Sequence, residues 1–435
     1  MKRLLLLGCA AALALTACAA DRGEVAEEFL PSTDGATTVT TVSSGTSPLT
    51  TPSTLPIEPA EAVSQLVEQV RSIRQIELAE PPIAYLSADE VAAGYRALHG
   101  LARTGNDDFD TAYLQMLGVL DGQTIADFDN PCPVPGFYDP AGERLVLTDG
   151  LAELTPLGRR HLVAELNAAA TDQAHGWWDS MESRRRSNNG EAAVALWALV
   201  QGDAEFHAEQ FVEQALTSTD RFAITLEQIS CQQQRSTPPG YVMEMEAYTS
   251  EAGRALVEDL ISMGGIPAVD QAYQKQPISS EQIYHPARYS AREPALSVDL
   301  RNVRLTGYTE VDSGSYGERQ FRALLSEGVS SAQALQAATG WGGDTYRVLW
   351  NGSDVVLVLA FEGDEARDAR ELAETLGGWA SASLGVGAGR PDNTGLAFEG
   401  EGYAFTAHQD AAMLLVVSSS AEAGRDVRNI FWPEW

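Results

Sequence analysis

The sequence predicts an α+β fold, helix-rich through the middle and sheet-rich at the end. Three observations predict it. The first structured stretch places Val63, Leu66, Val67, Val70 and Ile73 at helical spacing. From about residue 300 on, short apolar runs alternate with helical ones. Within that region an Asn351-Gly352 pair separates Tyr346–Trp350 from Val355–Phe361, which is hairpin chemistry.

Taken in order, residues 59–76 read as a helix, broken by Pro81-Pro82. Ile83–Leu86 reads as a short strand. Ser87 begins a helix to about 102, with Glu90 three residues on completing a capping box. Another helix covers roughly 107–120. Gly136–Thr148 reads as a hairpin that turns at Asp139-Pro140-Ala141-Gly142. Helices are expected at 155–175, 190–217 and 249–263. After the Asn351-Gly352 hairpin come a helix at 365–377, a strand pair at Tyr403–His408 and Met413–Ser418, and a last helix from near Ala421. The order strand, strand, helix thus occurs twice.

The chain opens on Lys2-Arg3, then an apolar run from Leu4 to Leu15. That run is too short for a stable span, which needs about 20 residues. It has the length of a signal-peptide core. It ends Leu15-Thr16-Ala17-Cys18, a lipobox-like sequence: small residues admit a peptidase, and the Cys18 thiol accepts a diacylglyceryl group. The alternative is an ordinary secretory signal with a chance cysteine. Residues 31–56 then hold nine Thr, five Ser and four Pro among 26 positions, too little apolar surface to offset the entropy of ordering. The expected organisation is a signal peptide at 1–17, a disordered tether at 18–58, a helix-rich domain at 59–290 and an α+β module at 291–435. The expected location is the extracytoplasmic face of a membrane, with the bilayer as partner through acylated Cys18.

Formal net charge is −32, with 61 acidic against 29 basic residues. That surplus argues against nucleic acid and against electrostatic binding to anionic lipid. If Cys18 carries lipid, Cys132 and Cys231 remain as a pair in an oxidising compartment, where a disulfide is expected. Two buried free thiols are the other possibility. No P-loop, dinucleotide-binding glycine fingerprint or nucleophile elbow is visible.

Several motifs carry a resemblance. Gly136-Phe137-Tyr138-Asp139-Pro140 precedes a helix reading Ala164-Glu165-Leu166-Asn167-Ala168-Ala169-Ala170-Thr171-Asp172-Gln173. A later helix reads Ala198-Leu199-Val200-Gln201-Gly202-Asp203-Ala204. Then come Pro277-Ile278-Ser279-Ser280-Glu281-Gln282-Ile283-Tyr284-His285-Pro286-Ala287-Arg288-Tyr289 and Gly340-Trp341-Gly342-Gly343-Asp344. In this order they resemble a family of bacterial and archaeal zincin-like metallopeptidases, many of them lipoproteins. In that family the first helix carries H-E-x-x-H and the second A-L-x-E-G-D-A, whose Glu is the third zinc ligand.

The departures decide the functional expectation. Ala164 and Ala168 stand at the two His positions and Gln201 at the third ligand. Only the general base, Glu165, is kept. Zinc lowers the pKa of bound water from about 15.7 to about 7, and without it a lone carboxylate has little to activate. The resemblance therefore implies an inactive homologue with no catalytic residue, no metal and no cofactor, one that binds a peptide or an envelope protein instead. The alternatives are a purely structural envelope lipoprotein with no ligand and a working metal-dependent hydrolase with a relocated site. His161, Glu165, Asp172 and His175 share one helix face, with His207 or Glu205 available from the next helix. On the plainer reading His161 and His175 sit at wet helix ends. A carboxylate pair of Glu165 with Asp203 or Glu205 is a further possibility. Arg184-Arg185-Arg186, the one basic cluster, pairs with acidic neighbours or marks a partner-binding loop. Trp177-Trp178 packs or forms a platform, and His285 fixes a turn or takes part in chemistry in relatives.

Overall fold

In the computed structural model, residues 59–99, 106–124, 128, 132–392 and 395–431 are described. The expected signal peptide, the expected lipidation site Cys18 and the expected tether lie outside the described residues. The class is α+β, as the sequence predicts.

The helix-rich part begins with α1 (Pro59–Arg74), which buries Val63, Leu66, Val67 and Val70 on one face. It stops at Arg74 because Gln75 takes a left-handed φ of 54°. β1 (Ile83–Leu86) leads into α2 (Ala88–His99). The capping box forms: the Ser87 N–H donates to Glu90 Oε2 at 3.0 Å, and the Glu90 N–H donates back to Ser87 Oγ. α3 (Asp107–Met116) is capped by Asn106 and ends before the expected 120, where Gly118 turns to φ 73°. The hairpin follows as β2 (Gly136–Asp139) and β3 (Arg144–Thr148). β1 adds to it in parallel, making a three-stranded sheet in the order β1-β3-β2.

Helices dominate from there: α4 (Pro156–His175), α5 (Trp177–Arg186), α6 (Gly190–Ala215), α7 (Ser218–Gln232), α8 (Gly240–Ala247), a π-helical turn (Tyr248–Ala252), α9 (Gly253–Gly264), α10 (Ile266–Gln274), α11 (Ser280–Tyr284) and α12 (Pro286–Ala291). The sequence reading passes over α5, α7, α10 and the short α11 and α12. In α5 and α7 the inward stripe is thin. α5 buries only Trp177 and Met181, and α7 only Ile224 and Cys231. The helix expected at 249–263 is the continuation, through the π turn, of one that starts at Gly240. α6 and α9 cross with almost no side chain between them. A Cβ on Gly202 would lie 2.2 Å from the Gly253 carbonyl, and one on Gly253 2.1 Å from Ala198 O. Only glycine permits that approach.

The sheet-rich part comprises β4 (Thr309–Gly314), α13 (Gly317–Leu325), α14 (Ser331–Ala338), β5 (Trp341–Trp350), β6 (Val355–Gly363), α15 (Ala366–Ser383), β7 (Arg390–Asp392), β8 (Gly395–Glu399), β9 (Tyr403–Gln409), β10 (Ala412–Ser418) and α16 (Ala421–Phe431). Its seven strands run antiparallel in the order β4-β5-β6-β10-β9-β8-β7. At the β5–β6 turn, Asn351 Oδ1 accepts from the N–H groups of Ser353 and Asp354, and Gly352 sits at φ 96°. The two strand-strand-helix units lie side by side as hairpins, but their helices cover opposite faces. α15 packs on the face of Leu357, Leu359, Met413 and Leu415, and α16 on that of Val356, Val358, Leu414 and Val416. The repeat in the sequence is therefore not a repeat of packing. With both faces covered, β6 and β10 read as continuous apolar runs rather than alternating ones.

Cys132 and Cys231 form a disulfide across 99 residues, with a Cα–Cα distance of 5.0 Å, fastening α7 to the segment before β2. No helix among the described residues is long and apolar enough to cross a membrane.

Candidate functional site

The residues singled out by the resemblance lie on α4 and α6, the two longest helices of the core. Thr155 caps α4 by accepting from the Gly158 N–H, and Pro156 fits the first turn, where its missing N–H costs nothing. Ala164 and Ala168, one turn apart, are 8% and 4% exposed and belong to the main hydrophobic core. Aromatic rings close over this region. Trp177 donates its indole N–H to Ala168 O at 2.9 Å and lies 5.6 Å from Trp197. Trp197 meets His99 edge-on at 5.2 Å. Gln201 is half-buried.

Glu165 is buried and engaged. Its Oε2 accepts from the Tyr138 N–H at 2.9 Å. Its Oε1 stands 3.4 Å from His99 Nε2 and 3.9 Å from His161 Nε2. Burial pushes this carboxyl up, but His99, His161 and the Tyr138 amide outweigh it and hold the group below the ordinary Glu value. His161 donates from Nε2 to Gly136 O at 2.8 Å, and burial holds its pKa below the usual histidine range. Tyr95 stacks on His99 at 4.1 Å and tilts against His161 at 5.4 Å, completing the cluster.

The other residues of the possible relocated site go elsewhere. Asp172 accepts from the Tyr138 hydroxyl at 3.0 Å and from the Trp178 N–H. His175 faces Asp270 at 3.6 Å and stacks on Tyr273. His207 pairs with Asp203 at 2.8 Å, and Glu205 with Arg160 at 2.6 Å. The shared helix face is thus divided among separate networks. Among the described residues no group of three or more His, Cys, Asp or Glu is arranged to hold a metal ion. Nor are His161 and His175 at wet helix ends, since their side chains are only 21% and 14% exposed. Glu165, Asp203 and Glu205 form no carboxylate pair, because each is taken by its own base. Arg184 departs from the expected acidic pairing: it donates to the Ala192 and Pro277 carbonyls and to Gln276. Trp177 packs, fully buried.

A fully enclosed ion pair lies nearby, and the sequence reading missed its arginine. Arg74, 0% exposed at the end of α1, donates to Asp203 Oδ2 at 3.1 Å and to Asp270 Oδ1 at 2.7 Å. The Tyr273 hydroxyl also donates to Asp203 Oδ2, at 3.0 Å. Burial would raise Asp203, but Arg74, His207 and Tyr273 overcome it and hold the carboxyl at about 2. One signal was legible: an arginine at the end of an apolar stripe, in a chain with few basic residues. Five of the six histidines face a carboxylate in this way, His285 doing so with Glu318 at 3.1 Å. They are committed to internal partners.

Residues 303–428 match a family model described as a domain of unknown function (DUF8575). The matched stretch spans the seven-stranded sheet and leaves α1–α12 outside. No curated protein and no solved structure matches the chain.

Removing one partner of the buried pair is expected to be far worse than removing both. Asp203→Asn should cost about 3–5 kcal/mol, whereas Arg74→Met with Asp203→Leu should recover most of that loss. Because Asp203 is held below its unfolded value, its stabilisation is present above about pH 4 and lost as pH falls toward about 2. Urea denaturation of the three proteins between pH 2 and 7 checks both statements; an Asp203→Asn curve overlying the wild type would refute them.

Proposed function

We propose that this chain is a membrane-tethered envelope lipoprotein whose metallopeptidase-like helices no longer bind zinc, and which acts by holding a peptide or protein partner. The burial of Ala164 and Ala168 in the core carries the non-catalytic part of the reading. An imidazole in either place would have to displace close packing, and the base position, Glu165, is already held by His99 and Tyr138.

The tether rests on the leader, Leu15-Thr16-Ala17-Cys18 and the Thr/Ser/Pro-rich stretch behind it. Partner binding is supported away from the former zinc positions. On α7, Phe222, Leu226 and Ile229 are 63%, 51% and 50% exposed and recur at helical spacing. The acidic balance favours a protein over nucleic acid.

One observation favours a metal-dependent hydrolase as second reading: Glu165 Oε1 lies within 3.4 and 3.9 Å of two histidine nitrogens. Against it, the His161 Nε2 that faces Glu165 carries the proton it donates to Gly136 O, so that nitrogen cannot ligate while the bond is kept.

Purified protein is expected to carry far less than one zinc per chain and to leave casein intact. Near-stoichiometric zinc, with cleavage abolished by Glu165→Gln, would establish the second reading. Cys18→Ala should abolish palmitate labelling and release the protein from the membrane fraction; unchanged fractionation would sink the anchor. In-cell crosslinking should give one defined protein adduct, lost in Phe222→Glu/Leu226→Glu while the fold is kept. An adduct indifferent to these changes would rule out α7 as the binding surface.

A further inference from the structure

The Ser279–Tyr289 and Gly340–Asp344 motifs lie where the helix-rich part joins the sheet-rich part. Asp344 on β5 accepts from the N–H groups of Tyr316 and Gly317 at 2.5 and 2.8 Å, holding the start of α13, and from the Trp341 indole at 2.6 Å. The glycines before it let Leu296 approach: a Cβ on Gly343 would lie 2.3 Å from Leu296 O. Ser280 on α11 donates from N–H and from Oγ to Glu191 Oε1 of α6, both at 2.5 Å, and its Oγ accepts from the Arg319 N–H of α13. Gly317 presses so close to Glu191 that a Cβ there would meet the carboxyl at 2.3 Å. One serine and one carboxyl therefore join α6, α11 and α13.

Too few cations serve this joint. Glu191, Glu281, Glu318 and Asp344 are 5%, 3%, 0% and 5% exposed. Glu191 is faced by Ser280, by Arg319, by Asp344 and, from the π turn, by Tyr248. Glu281 is faced by Arg288 of α12, Glu318 of α13, Asp364 after β6 and Glu293 after α12. Arg288 is 3.2 Å from Glu281 but also binds Glu293 at 2.6 Å and Asp364 at 2.5 Å. Glu318 is taken by His285 and Arg322. Among the described residues, Glu281 Oε1, Arg319 Nε and the hydroxyls of Tyr248 and Tyr284 have no hydrogen-bond partner. An ionised carboxylate in such surroundings is poorly compensated, whereas a neutral carboxyl is tolerated.

We propose that this joint is a proton-operated clamp: Glu191 and Glu281 hold α11 against α13 in their neutral forms, and their ionisation loosens it. Burial, acting against Ser280 and Arg319, pushes Glu191 up to about 7; burial with Glu318, Asp364 and Glu293, against Arg288, pushes Glu281 up to about 8. Both values exceed those of the unfolded chain. The unfolded state therefore releases these protons first, and the clamp weakens as pH rises from about 5 to about 8. The window differs from that of Asp203, which acts below pH 4. The clamp is independent of whether the chain binds a partner.

The test is hydrogen exchange of α11 and α13, with α15 as internal reference, on the full mature chain between pH 5 and 9. In wild type, protection of α11 and α13 relative to α15 should fall by up to about tenfold per pH unit for each group across the window. Glu281→Gln and Glu191→Gln should each flatten that fall, leaving α11 and α13 better protected than wild type at pH 8. A wild-type ratio that stays flat overturns the proposal without any variant. So does a ratio that falls equally in wild type and in whichever glutamine variant folds.

Discussion

Arg74 and Asp203 are both fully buried, and their contact spans 129 residues of sequence. The helix-rich part is organised around that contact. Two charges out of water are costly unless each is matched in place. Asp203 is matched by Arg74, His207 and Tyr273, and Arg74 in turn by Asp270. The requirement fixes α1, α6 and α10 against one another, and His175 stacked on Tyr273 brings in the end of α4. Beside Asp203, Gly202 sets how closely α9 crosses α6. The Gly-Asp of the second motif thus works as a packing device here, whatever its neighbour at position 201 does.

The same economy governs the rest of the chain. With 61 acidic and 29 basic residues, cations are scarce, and Arg74 and Arg288 each serve more than one carboxylate. At Glu165 the counter-groups are two histidines and a backbone amide. At the joint, arginines are divided among several carboxylates, and the remaining carboxyl oxygens favour their protons. The residues of α4 that carry the metallopeptidase resemblance have structural work of their own. Ala164 and Ala168 fill core, and Glu165 anchors β2 through Tyr138.

The other two motifs of the resemblance divide by physical role. Gly340–Asp344 is a close approach followed by a cap, with Asp344 reaching two amides at the start of α13. Ser279–Tyr289 supplies Ser280 to Glu191, His285 to Glu318 and Arg288 to three carboxylates. The family-model match begins beyond that second motif and covers the sheet it leans on. The joint therefore lies between a recognisable domain and a helical region whose likeness rests on short motifs alone.

Local chemistry was legible in the sequence. The α+β class, the Ser87–Glu90 cap, both hairpins of the large sheet and the Cys132–Cys231 pairing follow from periodicity, turn residues and counting, which neighbouring positions decide. Helices α5 and α7 were not legible, because a thin buried stripe leaves no periodic signal. The side chosen by α15 and α16 was not either, since both faces of β6 and β10 are apolar. The partners of His99, Asp203, Glu191 and Glu281 lie on other elements, and spacing along one helix cannot reveal them. By itself the sequence determined the fold class, the strongly periodic elements and that residue types able to ligate zinc are absent at Ala164 and Ala168, with a neutral amide at Gln201. Only the tertiary structure decided that two of those positions are core and that Glu191, Glu281, Glu318 and Asp344 are buried at one joint, because burial and pairing depend on what packs across the chain.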